Sequence, residues 1–154
     1  LNGKEIATSS ITNIYNTSQN GHATQALDTT WENCINIISH ISKKIQNLKN
    51  RLALISITGQ GDGTWLIDKE GNPVCDAWLW LDARSSEIAK ELTNLESEDS
   101  RFNATGTAIF AGQQSAQISY MEKNNPEILN KSTTAFHCKD WLYMKLTGIK
   151  FNLL

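Results

Sequence analysis

Cysteine is scarce: three residues in 154, Cys34, Cys75 and Cys138, at wide and unpatterned spacing. An odd number so placed argues against a disulfide framework or a zinc site and predicts reduced thiols in a cytoplasm. There is no run of Lys or Arg. The net charge of -2 and pI near 5.9 give no electrostatic footprint for nucleic acid. No apolar stretch approaches the length of a bilayer span, and nothing at Leu1 resembles a secretory signal. Internal repeats and low-complexity tracts are also missing. What remains is ordinary globular composition, 40% hydrophobic and 19% charged, at a length suited to one ordinary domain.

The chain reads as strands and helices interleaved. Asn2-Gly3 predicts a turn, followed by an extended run from Glu5 to Ser9. Ser10 to Gly21, rich in Asn, Ser and Thr, predicts a loop. Between Thr24 and Leu48 the residues Trp31, Cys34, Ile35, Ile38, Ile41, Ile45 and Leu48 make one apolar stripe at helical spacing. Lys43, Lys44 and Lys49 suit the negative pole of that helix. Leu52 to Ile57 is short and continuously apolar, the pattern of a strand buried on both faces. Thr64 to Ile67 is a second extended run, closed by Asp68-Lys69-Glu70-Gly71. Pro73 to Trp80 is extended again, with Trp78 and Trp80 expected on one face. Arg84 to Leu95 predicts a helix, Glu96 to Gly106 a polar loop, and Gln113 to Lys123 and Asp140 to Leu146 two further helices. The class is α/β.

The stretch TGQGDGT, Thr58 to Thr64, holds the chemistry. Phosphate binding needs backbone N–H groups with a helix N-terminus behind them. Here a strand pattern follows, no Lys-Ser/Thr pair is present, and Asp62 would repel an anion. A tight hairpin connection accounts for Asp62-Gly63, since Gly supplies positive φ. It leaves Gln60 and its flanking glycines unexplained. A loop at the carboxyl end of a buried strand is where α/β proteins place ligands. Asp accepts hydrogen bonds from a diol, and Gln both donates and accepts. An uncharged sugar or polyol fits that pair best.

The stretch ISITGQGDGTWLIDKEGNPVCDAWLWLDAR, continued later by FHCKDWLYMKLTG, resembles the FGGY carbohydrate kinases. These are sugar and polyol kinases of the actin-like, ribonuclease H-like superfamily. The resemblance runs from Gly3 to Gly148 and rests on three pieces in order: GQ-x-x-G, W-x-D-x-R and KDW-L-x-x-x-LTG. GQGDGTW, WLWLDAR and FHCKDWLY are most similar to the erythritol kinase branch, with xylulokinase-type ketose kinases next.

The resemblance implies a substrate loop at Gln60, Gly61, Asp62 and Gly63. Glycerol kinases carry Arg-Glu and xylulokinases Met-His where this chain has Gly61-Asp62, which removes bulk and leaves one acceptor. Asp82 and Arg84 match W-x-D-x-R. The structural alternative makes Asp82 the N-cap of the next helix and puts Arg84 in a surface ion pair. An aromatic contact to the carbon skeleton is expected from Trp80, Trp65 or Phe110, though such a ring is more often plain core than a sugar platform. The resemblance aligns Thr107 to Gln117 with a substrate-lining segment, which makes Gln113 and Gln114 candidates. Asp140 reads as a helix N-cap, and His137 and Lys139 as structural.

The family's D-x-G-T strand, its following strand, its catalytic aspartate and its second lobe have no counterpart in these residues, and Ile149 to Leu154 depart from its usual polar continuation. The resemblance therefore implies a single partial domain over residues 1–154: a ribonuclease H-like N-terminal lobe lacking its first two strands. The parent protein would phosphorylate a polyol such as erythritol or a ketose such as xylulose with ATP and Mg2+, neither bound by this piece alone. The implied partners are a small sugar or polyol and either a second copy or the rest of the kinase, with no nucleic acid and no membrane. Two alternatives remain: an inactive remnant or sugar-binding fragment, and an unrelated α/β binding module.

Overall fold

The computed structural model describes residues 3–95 and 97–150. Asn2 of the expected Asn2-Gly3 turn, Glu96 and the tail after Lys150 lie outside them. Residues 3–15 form no strand, so the run expected from Glu5 to Ser9 carries no ladder. The expected loop instead holds the first strand of a hairpin, β1 (Asn16–Thr17), antiparallel to β2 (Ala23–Gln25), which lies just beyond it and takes the first residues of the expected helix. Backbone bonds from Ser18 N–H to the His22 carbonyl (3.1 Å) and from Gly21 N–H to the Ser18 carbonyl (3.1 Å) close the hairpin.

Helix α1 (Leu27–Lys44) follows, with Asp28 in its first turn and Lys43 and Lys44 in its last, as the helix dipole favours. Its stripe has the predicted period but only partial cover. Leu27 is buried, Trp31 and Cys34 pack against the core, and Ile35 and Ile38 are exposed. A short helix α2 (Leu48–Arg51) leads into residues 52–57, where structure and expectation part. This run is not a strand: no backbone–backbone hydrogen bond joins residues 53–57 to any described residue, and Leu54 is 79% exposed. Its apolar pattern is that of a sandwiched strand, but no described strand pairs with it. For the same reason Asp62-Gly63 does not close a hairpin.

The centre is β3 (Trp65–Ile67), paired antiparallel with β5 (Thr134–Phe136) through Trp65–Phe136, Leu66–Ala135 and Ile67–Thr134. β4 (Ala77–Trp78) pairs with β2 and completes a sheet of order β1-β2-β4. The two small sheets meet where Thr64 and Trp78 exchange backbone bonds of 2.8 and 3.0 Å. Alternation along β3 sends Trp65 and Ile67 to one side and Leu66 to the other. Trp65 and Ile67 join Leu27, Ala77, Phe136 and Trp141, with the Trp65 and Trp141 rings 5.3 Å apart. Leu66 joins Trp78 and Met121. Each buried Leu, Ile, Phe or Met side chain among these contributes about 1.5–3 kcal/mol.

The remaining helices are α3 (Ser86–Thr93), α4 (Glu98–Thr105), α5 (Gln114–Asn124), α6 (Pro126–Lys131) and α7 (Cys138–Thr147). α4 replaces most of the polar loop expected from Glu96 to Gly106. It has no buried residue, and an Arg101–Glu98 fork with N–O distances of 2.6 and 2.7 Å supports it from within. Trp78 and Trp80 do not share a face. β4 ends at Trp78, and a turn closed by Asp82 N–H on the Leu79 carbonyl (3.0 Å) swings Trp80 outward, 51% exposed. No described helix is long and apolar enough to cross a membrane.

Candidate functional site

Three loops converge at one edge of the β3–β4 junction: residues 59–63 before β3, 79–84 after β4, and 107–113 before α5. Gly63 is the joint. Its N–H donates to the Gly112 carbonyl at 3.0 Å, and its carbonyl oxygen lies 3.1 Å from His137 Nδ1. A carbonyl only accepts, so that bond requires the proton on Nδ1. Gly63 has φ +100, and a Cβ there would stand 2.6 Å from the Trp78 carbonyl oxygen. Gly112 approaches still closer: its Cβ would meet the Trp80 carbonyl oxygen at 2.1 Å and the Phe110 ring at 2.8 Å. Only glycine permits both contacts.

On this frame Asp62 is half-buried, and its carboxylate has no hydrogen bond or ion pair among the described residues. The side chains of Gln60 and Gln113 are likewise half-buried and without a hydrogen-bonding partner among the described residues. A Cβ on Gly61 would meet nothing within 4 Å, so space opens beside Asp62. Trp80, 51% exposed, and Phe110, 40% exposed, flank Gly112. The edge thus offers a free carboxylate, two free carboxamides and two accessible aromatic rings. That set can accept from hydroxyls, donate to them, and cover an apolar carbon skeleton.

Other expected residues have different roles. Trp65 is core, wholly buried against Trp141. The Asp82 side chain is fully buried and the Arg84 side chain only 12% exposed, so theirs is not a surface pair. Asp82 accepts from Ala23 N–H at 2.8 Å and from Arg84 Nη2 at 2.7 Å, and Arg84 Nε and N–H also reach it. The guanidinium lies 3.2 Å from the centroid of the Trp78 ring. Asp82 is not a helix cap, because Ser85 holds that position before α3. With both oxygens engaged, it acts on the edge only through the 79–84 turn. Asp140 is not a cap either: it sits in the first turn of α7, with His137 at the N-cap position. Gln114 donates to the Phe136 carbonyl at 3.1 Å and faces inward.

The Thr58–Thr64 loop does not have the form that holds a nucleotide's phosphates. The glycine loop runs into β3 rather than a helix, carries Asp62, and no group of three or more His, Cys, Asp or Glu among the described residues could hold a cation. Sequence reading gave no individual role to Gly112 or to the buried Gln117 behind it, although both lie in the Thr107–Gln117 segment it singled out.

The framework is the α/β architecture of the actin-like ATPase fold seen in sugar kinases. It superposes on gluconate kinase from Lactobacillus acidophilus with a TM-score of 0.87 at 17% identity, covering 97% of this chain and 30% of that one. Xylulose kinase from Rhodospirillum rubrum gives 0.82 at 19% identity over 90% of this chain and 29% of that one. The sequence model of the FGGY family of carbohydrate kinases, N-terminal domain, matches residues 1–153, and the chain belongs to that family. Erythritol kinase of Brucella abortus (strain 2308) is 42% identical over 150 residues, 97% of this chain and 29% of that protein. Xylulose kinase of Lactococcus lactis subsp. lactis (strain IL1403) is 26% identical over 146 residues, again 29% of its length. The chain thus spans under a third of these curated relatives.

Proposed function

We propose that the protein carrying this domain is an ATP-dependent kinase that phosphorylates a hydroxyl of a small polyol, erythritol in the first instance and a ketose such as xylulose as second choice. One observation carries the reading: an unpartnered Asp62 beside the open Gly61 space, locked by Gly63 and Gly112 to the turn bearing Trp80. The 42% identity to a protein named erythritol kinase supports the polyol over the ketose. Asp62, Gln60 and Gln113 would hold the substrate hydroxyls, Gly61 would leave room for the chain, and Trp80 would cover the carbons. Asp82 would fix the turn that presents Trp80.

Phosphoryl transfer is mainly positioning and electrostatics, and this domain would supply the acceptor's positioning. ATP and Mg2+ would be held by residues outside this chain. The unpaired thiols Cys34, Cys75 and Cys138 suit a cytoplasmic setting. The product of the complete reading frame, incubated with ATP, magnesium and a panel of erythritol, xylulose and glycerol, tests this directly. Erythritol should give the highest kcat/KM. No transfer to any of the three would favour a sugar-binding fragment without activity.

A further inference from the structure

Gln117 is a buried amide that belongs to no ion pair. It lies in the first turn of α5 with none of its surface exposed. Its Oε1 accepts from Thr64 Oγ1 at 2.7 Å, and its Nε2 donates to the Leu79 carbonyl at 2.9 Å. Its own N–H donates to the Gln113 carbonyl at 3.0 Å. One residue therefore ties the position after Gly63, the position before Trp80, and the helix that follows Gln113.

An apolar side chain would fill this space without desolvating an amide. A fully satisfied buried polar group instead fixes one arrangement of the elements around it. β3 and β4 do not need the amide in order to meet, because Thr64 and Trp78 already exchange two backbone bonds. What the amide adds is α5. It sets where Gly112 and Gln113 stand relative to Asp62 and Trp80.

We propose that Gln117, with the Thr64 hydroxyl as its partner, is a positioning residue for the polyol site. It touches no substrate; it holds Asp62, Trp80 and Gln113 at fixed separations. This inference rests on the polyol-kinase reading above. Loosening the clamp spreads the groups that share one substrate and leaves nucleotide affinity unchanged.

The test has two arms, both on the product of the complete reading frame. In the first, amide hydrogen exchange is followed by NMR in Gln117→Met, which keeps the volume and loses the bonds. The Gly63 N–H should exchange about tenfold faster or more while the β3–β5 ladder keeps its protection. In the second, Gln117→Met and Thr64→Val should raise the KM for erythritol about tenfold and leave the KM for ATP within about twofold. Thr64→Ser, which keeps the hydroxyl, should restore the wild-type value. A rise in both KM values together, or in neither, would overturn the proposal. If Gln117→Met fails to fold, the contrast of Thr64→Val with Thr64→Ser decides. If the wild type phosphorylates no polyol, the site reading falls, and the exchange arm still judges the clamp: unchanged Gly63 exchange sinks it, and faster exchange with an intact ladder upholds it.

Discussion

Replacing Gly63 by alanine strikes the joint of the three loops. The backbone there has φ +100, and the new Cβ would stand 2.6 Å from the Trp78 carbonyl oxygen and 3.4 Å from the Leu79 backbone. Two costs add. Holding an L side chain at positive φ costs ~1–2 kcal/mol. The Trp78 oxygen is not free to retreat, because it accepts the Thr64 N–H at 2.8 Å. Relieving the contact stretches that buried bond, and losing such a bond costs about 1–3 kcal/mol. The total, about 2–5 kcal/mol, is a large share of the ~5–15 kcal/mol that holds a typical domain folded. At roughly 2–4 °C per kcal/mol for a protein of this size class, Tm should fall by about 4–20 °C. Gly61→Ala is the control: nothing lies within 4 Å of its Cβ, and its φ is not positive. It should stay within about 0.5 kcal/mol of wild type. Thermal and urea unfolding followed by near-UV circular dichroism compare the two. Equal melting of Gly63→Ala and Gly61→Ala, both near wild type, would refute the packing argument.

Three more outcomes are expected. Asp82→Asn leaves the Arg84 guanidinium without its buried counter-charge and should cost about 3–5 kcal/mol in urea unfolding; a loss under about 1 kcal/mol would show that the pair does not hold the turn. Burial pushes the Cys75 and Cys138 thiols from 9.0 up to about 11. A raised thiol pKa is a folded state that disfavours thiolate, so this stabilisation is complete below pH 9.0 and is lost as pH rises through about 11. Alkylation at pH 8 should accordingly be far slower in folded than in unfolded protein, and equal rates would contradict the burial. Leu54→Lys, at a site 79% exposed, should leave the unfolding midpoint unchanged and reduce aggregation of residues 1–154 expressed alone; a lowered midpoint would mean that Leu54 is covered in that state.

Much of the frame was legible because periodicity reports burial. The α1 stripe shows this in consecutive residues, and β3, α5 and α7 lie within the runs expected to be extended or helical. α4 was not legible, since a helix without a buried face has no stripe and is held by local pairs such as Glu98–Arg101. β5 was missed because three residues between two helices show no alternation. The run at 52–57 misled in the opposite direction: its composition is that of a sandwiched strand, while pairing depends on neighbours that the run does not encode. Trp80 was assigned the wrong face because two-residue periodicity holds only while the strand lasts, and β4 ends at Trp78. At the candidate site, Asp62 and Gln60 were proposed from residue type, and the structure places both half-buried in the loop before β3. Gly112 and Gln117 matter through contacts made across the fold, with Gln117 bridging to Thr64 and Leu79.

The central claim, that Asp62 holds the hydroxyls of a polyol on its way to phosphorylation, is tested most directly by steady-state kinetics of Asp62→Ala with erythritol as acceptor, alongside its melting temperature. Removing the acceptor leaves substrate hydroxyls unpaired, which costs about 1–3 kcal/mol, so kcat/KM should fall about 5- to 150-fold. Tm should stay where it is, because Asp62 has no partner among the described residues. Unaltered kinetics with a lowered Tm would contradict the account and make Asp62 a turn residue alone.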